Sequence, residues 1–170
     1  MADYAGVALL IIGMNVFLNA LWLQGKVPGK DVGVFNLLAG ATGVAASFWA
    51  GWLHGNFAMS AGFLLFSFTF IWVGVNALRE QEDQRALGWY SFLVALVAIP
   101  YAIVNFNAGF YGWAIEWIIY AVLWFLFWVL LGLQRSAALK PAIAMAYVTG
   151  TVVMVTGYLF INGWQEPFYL

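Results

Sequence analysis

The chain of 170 residues contains no cysteine, one histidine and very little charge. Without cysteine there are no disulfides, thiolate metal sites or thiol nucleophiles. One histidine cannot supply paired axial haem ligands, a histidine-based metal cluster or the usual nucleophile–base sets. Charged residues make up 8% of the chain and hydrophobic residues 65%. A soluble domain carries roughly a quarter charged residues. So little charge cannot cover a water-facing surface, but it suits an outer face that touches lipid. The net charge is −1, so no basic field points to nucleic acid. No basic stretch precedes the first apolar run, so the first helix is expected to remain in the mature protein.

What the chain has in quantity is long apolar segments. A bilayer core of roughly 30 Å needs about 20 apolar residues per helix. Six such runs are present, at roughly 4–24, 32–54, 57–78, 89–106, 110–133 and 141–163. Short breaks rich in Gly, Pro and polar residues separate them. The second break, around His54-Gly55-Asn56, implies a tight hairpin, and Pro141 suits the first turn of a helix. The reading is an all-α polytopic membrane protein with six transmembrane helices in one bundle.

The basic residues set the orientation. Lys26, Lys30, Arg79, Arg85, Arg135 and Lys140 all fall in the first, third and fifth loops. Basic loops stay cytoplasmic, so both termini are expected outside. Small residues recur every four positions as Ala39, Gly43, Ser47 and Gly51, and again as Ala142, Ala146 and Gly150. Such stripes let neighbouring backbones approach closely in lipid, within a protomer or between subunits.

No lysine lies inside a span, so a retinal Schiff base is excluded, and no arginine ladder marks a voltage sensor. Glu116 is the candidate intramembrane charge. A charge there costs about 3 kcal/mol on insertion scales, and one carboxylate suits a path for neutral solutes better than one for ions. Trp113, Trp117, Tyr120, Trp124 and Trp128 share one helical face, as do Phe63, Phe66 and Phe70. Each face fits either the wall of a pore or packed and lipid-facing aromatics. Asn15, Asn19, Asn36 and Asn76 lie in or near spans. They serve either as interhelical hydrogen bonds or as polar handles along a path. Glu116 is expected to line the outer vestibule and accept N–H groups from an amide.

Several segments carry a family resemblance. They are Phe17-Leu18-Asn19-Ala20-Leu21-Trp22, Leu64 through Phe70, Trp89-Tyr90-Ser91, and Trp113-Ala114-Ile115-Glu116-Trp117 through Leu123-Trp124, followed by Pro141 and Gly163-Trp164. Together they resemble the AmiS/UreI family of amide and urea channels over nearly the whole chain. The resemblance implies one transmembrane channel domain over residues 1–170. It also implies passive conduction of urea or short-chain amides through each protomer, without a cofactor, in a lipid-filled homohexamer of the bacterial inner membrane. A cytoplasmic amidase or urease is the partner it suggests. Carried over residue by residue, the pore is Leu9, Ile12 and Val16 from span 1, Phe66 and Phe70 from span 3, and Trp117, Tyr120, Leu123 and Trp124 from span 5. Tyr147 stands where the acid-gated urea channels have an acidic residue. Those channels also have tyrosine at Phe70, tryptophan at Tyr120 and a long histidine-rich outer loop, here replaced by a few residues with His54. The resemblance is therefore nearer the amide-transporting branch, without strong acid gating. Three other readings stay open: a proton-coupled amide transporter using Glu116, a non-conducting scaffold subunit and, least supported, an integral-membrane enzyme.

Overall fold

The computed structural model describes residues 2–164. Among them are six helices long and apolar enough to cross a membrane. They are α1 (Ala2–Leu23), α2 (Gly29–Phe48), α3 (Phe57–Leu78), α4 (Arg85–Asn107), α5 (Tyr111–Phe127) and α6 (Leu139–Ile161). Two spans end in a π-helical turn, Trp49–Leu53 after α2 and Trp128–Gly132 after α5. The periodicity did not announce these turns. A short 3₁₀ turn, Ser136–Ala138, leads into α6.

Local chemistry sets the ends of the helices. Asn56 caps α3 by accepting the Met59 backbone N–H at 3.0 Å. Gly55 has φ +67° and turns the chain tightly between the second and third spans, and Gly109 (φ +83°) does the same between the fourth and fifth. α4 begins at Arg85, a turn earlier than the expected 89, because Asp83 Oδ1 accepts the Arg85 N–H at 3.0 Å and the Gln84 carbonyl accepts the Gly88 N–H. Pro141 lies in the first turn of α6, where a missing N–H breaks no intrahelical bond.

The bundle is assembled from three close helix pairs: α1 with α6, α2 with α3, and α4 with α5. Each pair crosses where glycines remove side chains. A Cβ on Gly13 would meet the backbone of Met154 and Gly150, one on Gly74 the carbonyl of Gly33, and one on Gly88 the backbone of Gly132. Helices in lipid gain their association from such van der Waals contact. Both small-residue stripes face inward, with Gly43 against Ser67 of α3 and Gly150 against Gly13 and Phe17 of α1. The outside of the bundle carries exposed Leu38, Leu93, Ile103, Ile115 and Ile118, an apolar belt of the kind lipid covers.

Polar side chains within the spans are mostly bonded, as burial demands. Ser47 donates to the Ser60 carbonyl at 2.9 Å, Ser67 to that of Phe63 at 2.6 Å and Ser91 to that of Leu87 at 2.9 Å. At the basic end of the bundle, Lys30 and Glu80 pair at 3.0 Å.

Candidate functional site

Two cavities lie along the interior of the bundle. The larger, about 640 Å³, opens at the end that carries the second and fourth loops, beside Asn56, Asn105 and Ala108. The smaller, about 130 Å³, lies toward the basic end, beside Trp22, Leu23 and Gln84. Val16 of α1 and Trp124 of α5 line both cavities, so they form part of the partition between them.

Helical spacing explains the wall of the outer cavity. Leu9, Ile12 and Val16 recur on one face of α1, Phe63 and Phe66 on α3, and Trp113, Trp117, Tyr120 and Trp124 on α5. Phe66 is the hub of the aromatic wall. Its ring lies 4.8 Å from Tyr120 (68° between planes), 4.8 Å from Trp124 (48°) and 5.5 Å from Trp117 (31°). These tilted and edge-on arrangements are favoured by the ring quadrupole. The Trp124 Nε1–H donates to Thr69 Oγ1 at 3.1 Å, and the Thr69 hydroxyl donates to the Leu65 carbonyl at 3.0 Å. The indole plane at the partition is thus pinned to α3. Phe70 and Leu123 line the inner cavity.

The nine residues that the resemblance assigns to the pore walls of spans 1, 3 and 5 each line a cavity. Leu9, Ile12, Phe66, Trp117 and Tyr120 face the outer one, Phe70 and Leu123 the inner one, and Val16 and Trp124 both. Glu116 and Tyr147 line neither of these two. The Glu116 side chain is buried in the α5–α6 contact. There it accepts the Tyr120 hydroxyl at 2.6 Å on Oε2 and the Thr156 hydroxyl on Oε1. The carboxylate thus stands behind the wall, bonded to Tyr120, rather than among the residues that line these two cavities. Tyr147 sits at the α1–α6 surface, where its ring meets Phe17 edge-on at 4.9 Å and its hydroxyl donates to Gln24 Oε1 at 2.9 Å. Trp128 also leaves the aromatic face. It stands where α5 passes into its π turn and packs on Phe92 at 4.5 Å.

Sequence reasoning missed the fourth helix, and on the sixth it named Tyr147 rather than the residues that line the cavity. Pro100, Tyr101, Val104 and Asn105 of α4 line the outer cavity, as do Thr149 and Val153 of α6. Tyr101 stacks on Trp117 at 4.2 Å and 19°, and its hydroxyl donates to the Ala58 carbonyl at 2.9 Å. Pro100 inside a helix was the available signal, since proline in a span is tolerated where neighbours repair the ladder.

Among the described residues no Asp, Glu, Lys, Arg or His lines either cavity. Among the described residues no group of acidic, histidine or cysteine side chains could hold a metal. The wall can shelter a neutral solute and offers a few hydrogen bonds, but it has nothing to neutralise an ion.

A family model described as AmiS/UreI family transporter matches residues 4–164. The chain belongs to the AmiS/UreI family. It is 30% identical over 168 residues to a Mycolicibacterium smegmatis protein named for the transport of amidate substrates, an alignment covering 94% of this chain and 78% of that one. It is 35% identical over 137 residues to a Rhodococcus erythropolis protein named as transporter AmiS2, covering 76% of this chain and 65% of that one. Solved structures share the fold. The Helicobacter pylori urea channel in a closed state superposes with TM-score 0.81 at 26% identity, covering 94% of this chain and 99% of that one. A crystal structure of the Helicobacter pylori channel gives TM-score 0.79 at 25% identity, with 96% and 99% covered. The protein is therefore a six-span membrane channel or transporter and not an enzyme.

Proposed function

We propose that the protein is a passive channel for small neutral amides, urea and acetamide among them. The cavity walls, which among the described residues carry no charged side chain, are what supports this reading. An unpaired amide moved into hydrocarbon loses about 4–8 kcal/mol, and each ~1.4 kcal/mol is about tenfold in rate. A lumen with flat aromatic walls and a few hydrogen-bonding groups lowers that barrier for a planar solute. The names of the relatives, an amidate-substrate transporter and a urea channel, agree with this solute class.

The proton-coupled alternative would use Glu116. Both of its carboxylate oxygens are engaged by hydroxyls, and it lines neither cavity, which favours the passive reading. Strong acid gating is not expected, since the chain has one histidine and a short loop around it. The family relationship and the apolar belt support a homohexamer in a bacterial inner membrane. The basic first, third and fifth loops support termini on the outer side. A cytoplasmic amidase or urease would consume the incoming solute. The test is solute-driven swelling of proteoliposomes in urea and acetamide gradients. Flux that needs no ion gradient supports the channel, whereas uphill uptake driven by protons and abolished by Glu116→Gln would replace it with the transporter.

A further inference from the structure

A polar cluster lies beside the inner cavity. Asn15, Asn19 and Asn36 meet between α1 and α2, and each is about nine-tenths buried or more. Asn36 Oδ1 accepts from Asn15 Nδ2 at 2.9 Å and from Asn19 Nδ2 at 3.1 Å. Asn36 Nδ2 donates to Asn19 Oδ1 at 2.7 Å and to the Val32 carbonyl at 2.9 Å. A carboxamide has two N–H groups and two acceptor lone pairs, so Asn36 is saturated. It grips Asn19 in a reciprocal amide pair that fixes the plane of the Asn19 carboxamide. Asn19 uses one N–H and one lone pair in that grip, which leaves one of each. Asn15 Oδ1, a turn away, is buried without a partner.

The position of Asn19 gives these spare groups a meaning. It lines the inner cavity, three residues beyond Val16 and so about 5 Å along the helix axis. A solute emerging between Val16 and Trp124 meets Asn19 while most of its water is still absent. The hydroxyl protons of its neighbours Thr69 and Ser91 are committed to the Leu65 and Leu87 carbonyls.

We infer that Asn19 is an amide-recognition station on the inner side of the partition, held in register by Asn36. The inference rests on the channel reading and adds to it a named group that prefers amides. The spare N–H and lone pair lie on one flat carboxamide, complementary to the C=O and N–H of urea or a primary amide. A polyol of similar size has no planar donor–acceptor pair to match. Were the cluster only a clamp between α1 and α2, replacing Asn19 would change stability without changing which solute passes.

The experiment compares urea, acetamide, glycerol and water permeability of the full-length protein in liposomes, for wild type, Asn19→Leu and Asn19→Ser. Asn19→Leu is expected to lower urea and acetamide permeability about tenfold, the effect of about one hydrogen bond on a barrier, with water permeability within about twofold of wild type. Asn19→Ser, which keeps a donor and an acceptor but loses the plane, is expected to lower the urea-to-glycerol ratio about threefold. If Asn19→Leu does not fold, that ratio in Asn19→Ser decides. Unchanged amide permeability in a wild-type background that conducts, or water permeability falling in the same proportion, overturns the inference alone. A wild-type protein that conducts no amide overturns the channel reading and the inference with it.

Discussion

Val16→Phe is the substitution that most directly probes the partition. Val16 is buried and lines both cavities, so an added ring must project into the stretch that the two cavities share. Overpacking a filled core costs about 1–3 kcal/mol. Here the neighbouring space is open, so the stability cost should fall near the low end, about 1 kcal/mol. The effect on flux should be much larger. If the lumen removes even half of the ~4–8 kcal/mol amide barrier, its closure costs from about thirtyfold to several hundredfold. Background leak through bare lipid limits the reading to at least about a tenfold loss of protein-dependent urea flux. The assay is stopped-flow light scattering on proteoliposomes loaded with equal amounts of assembled protein. Leu38→Phe, on the lipid-facing side of α2 and 58% exposed, serves as the matched control and should conduct as wild type. Val16→Ala should move the other way and admit glycerol. Equal urea flux from wild type and Val16→Phe, with equal assembly, would refute the placement of the path between the two cavities.

Other perturbations test the supports. Glu116→Gln replaces one acceptor oxygen with a donor and leaves the Tyr120 or Thr156 hydroxyl poorly matched; thermal unfolding in detergent should show a loss of about 1–3 kcal/mol, and a variant as stable as wild type would contradict the supporting role. Trp124→Phe keeps a ring at the partition but loses the bond to Thr69, at a cost of about 1 kcal/mol, visible in the same assay. Gly13→Val places side-chain atoms against the Met154 backbone and should abolish recovery of folded protein, as judged by size-exclusion chromatography. For pH, the Asp83 carboxyl is lowered from 3.8 to about 2, first by the Arg85 side chain and then by its backbone N–H. A depressed acid contributes fully above its unfolded value and loses that contribution as pH falls through about 2. This contact therefore stays intact from pH 5 to 7.5. Independently of it, the single histidine of the chain lines neither cavity, so urea flux over that window should vary less than about twofold; a steep rise toward pH 5 would restore acid gating.

How much of this was legible in the sequence depended on whether one helix or two carried the information. Span positions follow from uninterrupted apolar length, so every span fell within a few residues of its place. Spacing of 3.6 residues within a single helix put Phe66 and Trp124 on faces of α3 and α5 that line a cavity here, whereas Val16 on α1 came from the family resemblance and not from spacing. Facts that belong to a pair of helices were hidden. The direction of Glu116 depends on Thr156, forty positions away, and on the rotation of α6 against α5. Tyr147 turned out to face Gln24 at the surface, because the glycines at 13 and 150 draw α6 against α1. Trp128 obeyed the spacing but stands at the start of a π turn, which ends the register. Tyr101 had no stripe to announce it, and only its stacking on Trp117 brings it to the cavity.

The most direct test of passive conduction is urea and acetamide flux into liposomes containing the wild-type protein, against empty liposomes, with every ion gradient collapsed by ionophores. A passive channel gives protein-dependent flux of both solutes that runs down the solute gradient and persists without ions. No flux above empty liposomes, or flux that vanishes when the proton gradient is removed, would contradict it.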